Sequence, residues 1–353
     1  MKKIKFLLPI LTMVLLTACD VFLGHDPDIN DPKEIINDLW TGIDETYAYF
    51  GHKKEFVDSE FVNKWNKARA DALKKVKSDT TSNDLFTICY AMLAVLGDPH
   101  ADFDDNVKVK FRYASYIGTQ GYLNILPPPE PPFSTKINEG PYKYYNFYYG
   151  KFESPNENIG YIEIENFFVN KDHLKWWEEI DNILEYLKDT NALVIDVRGN
   201  SGGQLEPMRH IASRFFHEEK EYCKFYYKKG PGHNDFGAPI FSEKIKPPAE
   251  RYRYTKRVVL LTNDRTFSAA EHFTLALRTQ SPHITHMGTK TRGGFCSGIS
   301  RRMINGWYYH VSHRKVVDEK GECWEGRGIT PDEPIPNNQN EFEYALNWLN
   351  QNL

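Results

Sequence analysis

The sequence lacks long basic runs, metal-binding cysteine pairs and internal repeats. Its 353 residues include 44 lysines and arginines against 48 aspartates and glutamates, which gives a net charge of −4. This balance, without a long basic run, disfavours nucleic acid as a partner. The chain has 5 cysteines, and no two of them stand at the spacing of a metal site. We therefore expect neither a metal nor an organic cofactor.

The N-terminus carries an export signal. Residues 1–19, MKKIKFLLPILTMVLLTAC, combine a lysine-rich start, a short apolar stretch and small residues before Cys19. The apolar stretch is too short to cross a bilayer comfortably and is typical of a secretory signal. Its end, LTAC, resembles a bacterial lipobox, in which cleavage before the cysteine leaves it free to carry lipid. We expect Cys19 to anchor the mature protein to a membrane of the cell envelope. An ordinary signal peptide with an incidental cysteine is the alternative.

The rest of the chain divides into four segments. Residues 20–32 are polar and are predicted to form a tether. Residues 33–103 place apolar residues at intervals of three and four, which predicts a small helical unit. Residues 104–158 are rich in tyrosine, glycine and proline and predict short strands and loops. In residues 159–353, apolar strands alternate with helices, which predicts an α/β layer built by crossover connections.

Some elements of this last segment are predicted more closely. The stretch DHLKWWEEIDNILEYLKD (172–189) predicts an amphipathic helix, and NEFEYALNWLNQNL (340–353) a closing helix. The tyrosine-rich MINGWYYHVSHRKVVD (303–318) predicts a hairpin that continues the sheet. The remaining cysteines are expected to be buried as small apolar residues; they are Cys89, Cys223, Cys296 and Cys323.

Two serines follow apolar strands and compete for the role of nucleophile. Ser201 lies in RGNSGG (198–203), a Gly-x-Ser-x-Gly frame. A glycine-rich loop that leaves a buried strand can present backbone N–H groups to an anion. It lacks the Gly-Lys-Ser/Thr ending of a phosphate loop. Ser268 begins the helical stretch SAAEHFTLALRTQ, where serine is a preferred N-cap. From these residues alone, Ser268 reads as a helix cap or as a nucleophile.

Four motifs in a fixed order carry a family resemblance. They are ALVIDVRGNSGG (192–203), RTFSAAE (265–271), GTKTRGG (288–294) and EGRGITPD (325–332). In this order they resemble the tail-specific proteases, peptidase family S41, which include C-terminal processing peptidases and the tricorn core protease. The resemblance covers roughly residues 159–335. It implies a ClpP- and crotonase-like α/β core, with Ser268 as the nucleophile of a serine peptidase.

The same resemblance assigns the oxyanion donors and the base. The N–H groups of Gly202, Gly203 and Ala269 are implied as the oxyanion site. C-terminal processing peptidases activate the serine with a lysine, but Gly294 stands at that position here. The tricorn-like branch uses a histidine and a glutamate in stretches similar to LGDPH and EGRGITPD. These match His100 and Glu325.

Alternatives to this assignment stay open at the level of sequence. Pro99 stands where the tricorn-like branch has a serine before its histidine, so a relay through that serine is absent. Lys290 is an alternative base in a Ser-Lys dyad. A silent peptide-binding lipoprotein, with the cleft but without catalysis, is an alternative from another class. His210, His272, His310 and His313 are further rival bases.

The resemblance also bears on how substrates are chosen. Many C-terminal processing peptidases insert a PDZ domain between the helical unit and the core. Residues 101–158 are too few for a complete PDZ domain and lack a Gly-Leu-Gly-Phe-like loop. The sequence therefore predicts an enzyme without a PDZ domain, which hydrolyses peptide bonds in peptide or protein substrates through an acyl-enzyme. It predicts no selection of free C-termini through such a domain.

Overall fold

A computed structural model describes residues 30–105, 137–152, 158–296, 298–336 and 338–353, and describes 137–142 by their backbone alone. The predicted signal peptide with Cys19, most of the predicted tether and much of segment 104–158 lie outside these residues. Within the part described, no helix is both long and apolar enough to cross a membrane.

The N-terminal segment is helical, as predicted. Asp31 caps the first helix by accepting a hydrogen bond from the backbone N–H of Lys33, and Thr81 with Asp84 forms a capping box at the fourth. The fourth helix runs into a short 3₁₀ turn that ends at Gly97, where φ is 55°. That reversal directs the chain from the helices towards His100. The α-helices among the described residues are α1 (Pro32–Thr46), α2 (Phe50–Phe56), α3 (Phe61–Lys75), α4 (Ser82–Leu93), α5 (Ile180–Tyr186), α6 (Leu205–Ala212), α7 (Ala269–Arg278) and α8 (Glu341–Asn352).

The remaining elements form one large sheet and two small ones. The strands are β1 (Asp102–Asp104), β2 (Ile137–Tyr144), β3 (Phe147–Phe152), β4 (Ile159–Ile164), β5 (Ala192–Asp196), β6 (Lys220–Tyr227), β7 (Phe241–Ile245), β8 (Arg257–Thr262), β9 (Ile284–Gly288), β10 (Ile299–Arg302), β11 (Tyr308–Val311), β12 (Arg314–Asp318) and β13 (Glu333–Pro334). The large sheet has the order β13-β9-β8-β5-β4-β3-β2. Its centre, β4-β5-β8-β9, is parallel, and β2 and β3 are antiparallel additions. This confirms the predicted α/β class.

Helices cover both faces of the large sheet. One face packs under α6 and α7, with apolar side chains such as Leu193, Ile211 and Phe273. The other packs under α8, with Val194, Val259 and others. Parallel strands buried on both faces read as continuous apolar runs, and every residue of β5 is buried.

Two predicted elements differ in the structure. The helix predicted over 172–189 is shorter: Trp176–Glu179 form a 3₁₀ turn and only Ile180–Tyr186 are α-helical. Lys175 has φ 62°, which interrupts a regular helix before Trp176.

The predicted hairpin over 303–318 is also wrong. Its two strands, β11 and β12, do not pair with each other and do not join the large sheet. Instead β11 pairs with β1 and β10, and β12 pairs with β6. The small sheet of β1, β11 and β10 shares an apolar cluster with α1–α4, in which Trp307 and Tyr309 contact the helical segment. The alternation of apolar residues was sufficient to predict strands here but not their partners.

Candidate active site

Two loops meet at the carboxyl ends of β5 and β8. These strands are parallel neighbours, with Asp196 opposite Leu261, so the chain leaves both at the same edge of the sheet. The backbone N–H of Phe267 donates to the carbonyl of Asn200 at 3.0 Å, which ties the two loops together. Ser268 therefore lies directly beside the glycine loop 198–203.

Gly202 is required by that close approach. Its φ is 92°, and a Cβ there would lie 2.7 Å from the carbonyl oxygen of Phe267 and 2.7 Å from the Cβ of Ser268. A glycine therefore lets the loop pack against the residue that the motifs identify as the nucleophile. Asn200 shapes this loop, since its Oδ1 accepts a hydrogen bond from the Gly202 N–H at 2.9 Å.

Ser268 stands at the start of α7 in a strained conformation. Its φ and ψ are 56° and −119°, outside the regions that residues other than glycine usually occupy. Its backbone N–H contacts the carbonyl of Gly294 at 3.1 Å and the carboxylate of Glu271 at 3.2 Å. Glu271 is fully buried and also accepts from the N–H groups of Gly293 and Gly294. Glu271 thus braces the start of α7 from inside the core.

His100 is brought to Ser268 from a distant part of the chain. Its Nε2 lies 3.3 Å from the Oγ of Ser268, and its ring stacks on Phe267 with centroids 4.6 Å apart. Burial lowers the pKa of His100 below its usual value, an effect that the nearby Asp98 opposes. A ring with a lowered pKa is neutral at pH 7 and can accept the serine proton.

The carboxyl group that faces the imidazole is Asp98. Its Oδ1 lies 4.0 Å from Nδ1 of His100 and accepts the backbone N–H of the same histidine at 2.8 Å. Asp98 is fully buried. The sequence interpretation did not single out this residue, although an Asp two positions before a histidine in a turn is a recurrent hydrogen-bonding pattern. Its position favours the tautomer with the proton on Nδ1, which leaves Nε2 to act on Ser268.

Glu325 lies close behind this group and does not hydrogen-bond to the imidazole. It is fully buried, its Oε2 accepts the backbone N–H of Phe295 at 2.9 Å, and its Oε1 has no partner among the described residues. Its backbone carbonyl accepts a hydrogen bond from Nε2 of His52 at 2.9 Å. Burial raises the pKa of Glu325 well above its usual value, and the negative Asp98 adds to that effect.

The predicted oxyanion donors surround Ser268 unequally. The Gly202 N–H is taken by Asn200, whereas those of Gly203 and Ala269 have no hydrogen-bond partner in the described structure. Ala269 is the first residue of α7, so its N–H is one of the unsatisfied donors of a helix N-terminus. Gly203 packs so closely on Phe167 that a Cβ added to Gly203 would lie 2.2 Å from the carbonyl carbon of Phe167. Gly203 and Ala269 are thus the better placed of the three donors.

The structure offers no place for a lysine base at the family's position. A Cβ on Gly294 would lie 2.3 Å from the ring of Phe267, and that ring is the one on which His100 stacks. Lys290 is exposed, as is Ser201. His272, a rival base, lines the same cavity as Ser268, but its Nε2 donates to the carbonyl of Phe295.

Cavities lie on both sides of the Ser268–His100 pair. One, of about 130 Å³, is lined by Ser268, Ala269 and Gly203 together with the apolar Leu205, Phe225 and Phe295. The other, of about 380 Å³, is lined by His100, Ser300, Tyr308 and His310 among others. His310 faces this second cavity and accepts the backbone N–H of Gly298 through its Nε2. A cleft with the reactive pair at its centre is the usual form of a site for an extended substrate.

A strained serine at a helix N-terminus, a neutral histidine within reach of its hydroxyl and free backbone N–H groups define a serine hydrolase site. The model of Peptidase family S41 matches residues 158–335. The chain belongs to that family, and its class, serine peptidase, follows from the membership.

Individual relatives agree with this assignment. The chain is 28% identical over 179 residues to the carboxy-terminal processing protease CtpA of Bacillus subtilis (strain 168), a match that covers 51% of this chain and 35% of that one. The matched part is thus about a third of the curated relative's length. A structure from Parabacteroides merdae ATCC 43184, described as a candidate peptidase, is 27% identical, with a TM-score of 0.71 over 90% of this chain and 96% of that one.

A more distant structure supports the fold. Mature CPAF complexed with lactacystin has a TM-score of 0.65 at 13% identity and covers 92% of this chain and 97% of that one. This likeness extends over almost the whole chain, including its helical N-terminal segment. It confirms the predicted fold, an α/β core preceded by helices.

Proposed function

We propose that this chain is an active serine endopeptidase in which Ser268 is the nucleophile and His100 the general base. The observation that carries the proposal is the 3.3 Å approach of His100 Nε2 to Ser268 Oγ. The two residues are 168 positions apart and come from different segments of the fold. A contact of this kind between a strained serine and a buried histidine has no evident structural purpose.

The proposed reaction proceeds in two halves. Ser268 Oγ attacks the carbonyl carbon of the scissile peptide bond while His100 Nε2 takes the hydroxyl proton, and the carbonyl electrons move to its oxygen. The N–H groups of Gly203 and Ala269 stabilise the resulting oxyanion, with Gly202 shaping the loop. Collapse breaks the C–N bond, and the imidazolium protonates the leaving amine. Water, activated by the same histidine, then releases the acyl group from Ser268.

The carboxyl groups of Asp98 and Glu325 support the histidine from behind. Asp98 orients the ring and stabilises the imidazolium, since its carboxyl group faces Nδ1 at 4.0 Å. Glu325, the carboxylate that the family resemblance assigns, acts over a longer distance as part of the same buried cluster. The Ser-His-Glu assignment thus gains a second acidic residue.

The substrate and location are proposed from the cleft and the N-terminus. The wall of the smaller cavity is polar at Glu243, His272 and Arg314 and apolar at Leu205, Phe225 and Phe295. The apolar part suits an apolar side chain next to the scissile bond of a peptide or protein substrate. Lipid on Cys19 would hold the enzyme at a membrane of the cell envelope, on the side reached by exported proteins. Neither nucleic acid nor a cofactor has a part in this mechanism.

The assignment of the nucleophile can be tested by active-site labelling. A fluorophosphonate probe is attacked by an activated serine with loss of fluoride, so labelled protein reports the nucleophile directly. Ser268→Ala should abolish labelling, and Ser201→Ala, which changes the exposed serine of the glycine loop, should retain it. Digestion of unfolded casein should be lost in the first variant alone. Labelling that survives Ser268→Ala but not Ser201→Ala would overturn the assignment, and a wild-type chain that neither labels nor digests casein would indicate the silent peptide-binding lipoprotein.

A further inference from the structure

Two buried carboxyl groups behind His100 each have one oxygen without a partner. Asp98 and Glu325 are both fully buried. One oxygen of each accepts a backbone N–H, from His100 and from Phe295 respectively. The other oxygens, Oδ2 of Asp98 and Oε1 of Glu325, have no hydrogen-bond partner in the described part of the chain. Negative charge in such surroundings is costly unless a cation lies near.

A buried lysine from the helical segment packs against the two chain segments that carry these carboxyl groups. Lys53, in α2, is only 3% exposed. Its Nζ donates to the carbonyl of Leu96 at 2.6 Å, two residues before Asp98. A Cβ on Gly326, the residue after Glu325, would lie 3.4 Å from Cε of Lys53. The ammonium group is therefore held between the two segments that carry the carboxyl groups.

The ammonium group has donors to spare. A lysine has three N–H donors, and the carbonyl of Leu96 takes one. The rings of Tyr47 and Phe61, at 5.6 and 5.4 Å from Nζ, exclude solvent from its sides. A lysine whose role was confined to holding Leu96 would not need to bring a full charge into this apolar site, since a neutral amide could make the same bond.

We propose that Lys53 is a positioning residue of the active site, whose charge balances the Asp98–Glu325 pair and thereby sets the pH range in which His100 accepts the proton of Ser268. This inference rests on the proposed function. It gives helix α2 a part in the reaction, although that helix contributes no group that touches the substrate.

The electrostatics of the cluster agree with this arrangement. Burial lowers the pKa of Lys53, and the charges of Asp98 and Glu325 oppose that shift. Burial raises the pKa of Glu325, and Lys53 in turn opposes that shift. The cation and the carboxyl groups thus stabilise each other's charged forms.

The other titratable groups around the cluster are the same in every variant, so a difference between variants cannot come from their presence or absence. Burial lowers the pKa of His52 to about 4 and raises that of Cys323 to about 12. Tyr47 and Tyr49 have pKa values raised well above 10.0 by burial, and the pKa of His310 is lowered.

Glu271, with a pKa raised by burial to about 7, titrates within the range in every variant. Arg292 faces His100, and Arg327 and Lys315 face His52 and Cys323.

Loss of the lysine charge should change the pH dependence of acylation in one direction. Removing a positive charge raises the proton affinity of the whole cluster, whichever member binds the proton. The acid limb of acylation, where His100 becomes protonated, should then move to higher pH. For buried charges within one cluster, the shift is on the order of one pH unit. Well below both midpoints, acylation would be about tenfold slower than in the wild type at the same pH.

The test compares two substitutions of Lys53 with one of its neighbour. Lys53→Gln removes the charge but can still donate to Leu96, and Lys53→Arg keeps the charge. Lys54→Gln, at an exposed position in the same helix, is the matched control. The rate of fluorophosphonate labelling of the full chain is measured from about pH 5 to about pH 8. We expect an upward shift of the acid limb in Lys53→Gln alone.

Each outcome bears on the inference. A uniform loss of rate in Lys53→Gln, with the acid limb of the wild type, would indicate a merely structural lysine and refute it. A Lys53→Gln chain that folds only at acidic pH, where the carboxyl groups are protonated, would support it, whereas one that folds at no pH would refute it. If Ser268→Ala still labels, the proposed function itself fails. If Ser268→Ala is silent and Lys53→Gln titrates like the wild type, this inference alone fails.

Discussion

The identity of the general base gives the sharpest test of the proposed mechanism. His100→Ala removes the one side chain that the structure places within hydrogen-bond distance of Ser268 Oγ among the described residues, at 3.3 Å. Lys290→Ala removes the alternative base, which is exposed. We expect the first substitution to abolish most acylation and the second to leave it unchanged. His210→Ala, a histidine remote from Ser268 in α6, is the control for loss of an imidazole as such.

The size of the effect follows from what a general base contributes. Proton transfer by a positioned side chain contributes about 10²- to 10⁴-fold to a rate, which corresponds to roughly 2.7 to 5.4 kcal/mol of activation free energy. His100→Ala should therefore slow labelling by at least about a hundredfold. The stacking of the ring on Phe267 would also be lost, so the free energy of unfolding should be measured beside the rate to confirm that the variant is folded.

The pH dependence separates the two bases further. Burial lowers the pKa of His100, so the neutral, active form is populated from below pH ~6.5 upward. Acylation by the wild type should rise with pH on a limb whose midpoint lies below ~6.5, and should reach a plateau by neutral pH. A lysine base would give activity that continues to rise into the alkaline range. Labelling that survives His100→Ala and is lost in Lys290→Ala would refute the histidine mechanism and favour the dyad.

Three further substitutions test the carboxylate, the oxyanion loop and the anchor. Glu325→Gln should fold, because an amide oxygen can still accept the Phe295 N–H. The acylation rate should fall by much less than the ~10⁴-fold seen when a carboxylate bonded directly to the histidine is replaced. A complete loss of acylation would show that Glu325 acts on His100 directly. Gly202→Ala should abolish labelling, since its Cβ would overlap the Phe267 carbonyl and Ser268. The control is Gly321→Ala, where φ is a similar 88° and a Cβ would meet nothing within 4 Å; it should lower only the free energy of unfolding, by about 1 kcal/mol. Equal labelling in both variants would contradict the assigned loop packing. Cys19→Ala should release the protein from membranes or leave it unprocessed in cell fractionation, and unchanged processing and membrane association would reject the lipid anchor.

Much of the fold could be predicted because its signals are local. The parallel strands β4, β5, β8 and β9 are short apolar runs bounded by polar residues, and burial on both faces produces that pattern. The first helix carries its own cap in Asp31. The pairing of β11 and β12 could not be predicted in this way, because their partners are β1, β10 and β6. No local pattern specifies the pairing of β11 with β1 or of β12 with β6, because these partners are far apart in the chain.

The site shows the same division. Ser268 and the glycine loop lie at the ends of predicted strands, so their proximity follows from the parallel sheet. His100 could be assigned only through the family's motif, because the chain between it and the sheet gives no geometric constraint. Asp98 and Lys53 were missed for a different reason. Their roles depend on complete burial beside Glu325, and neither an aspartate in a turn nor a lysine in an amphipathic helix differs in sequence from a solvated one.

The strain at Ser268 links the stability of the core to the reactivity of the site. A serine with φ 56° is held there at a cost of order 1–3 kcal/mol, and the surrounding structure must offset that cost. Glu271 is the main source of that restraint, because it accepts hydrogen bonds from the N–H groups of Ser268, Gly293 and Gly294 within the core. Ser268 is thus both the N-cap position of α7 and the proposed nucleophile. The two roles do not compete in the proposed mechanism, since the start of α7 leaves the Ala269 N–H without a partner among the described residues and the Oγ of Ser268 lies 3.3 Å from His100 Nε2.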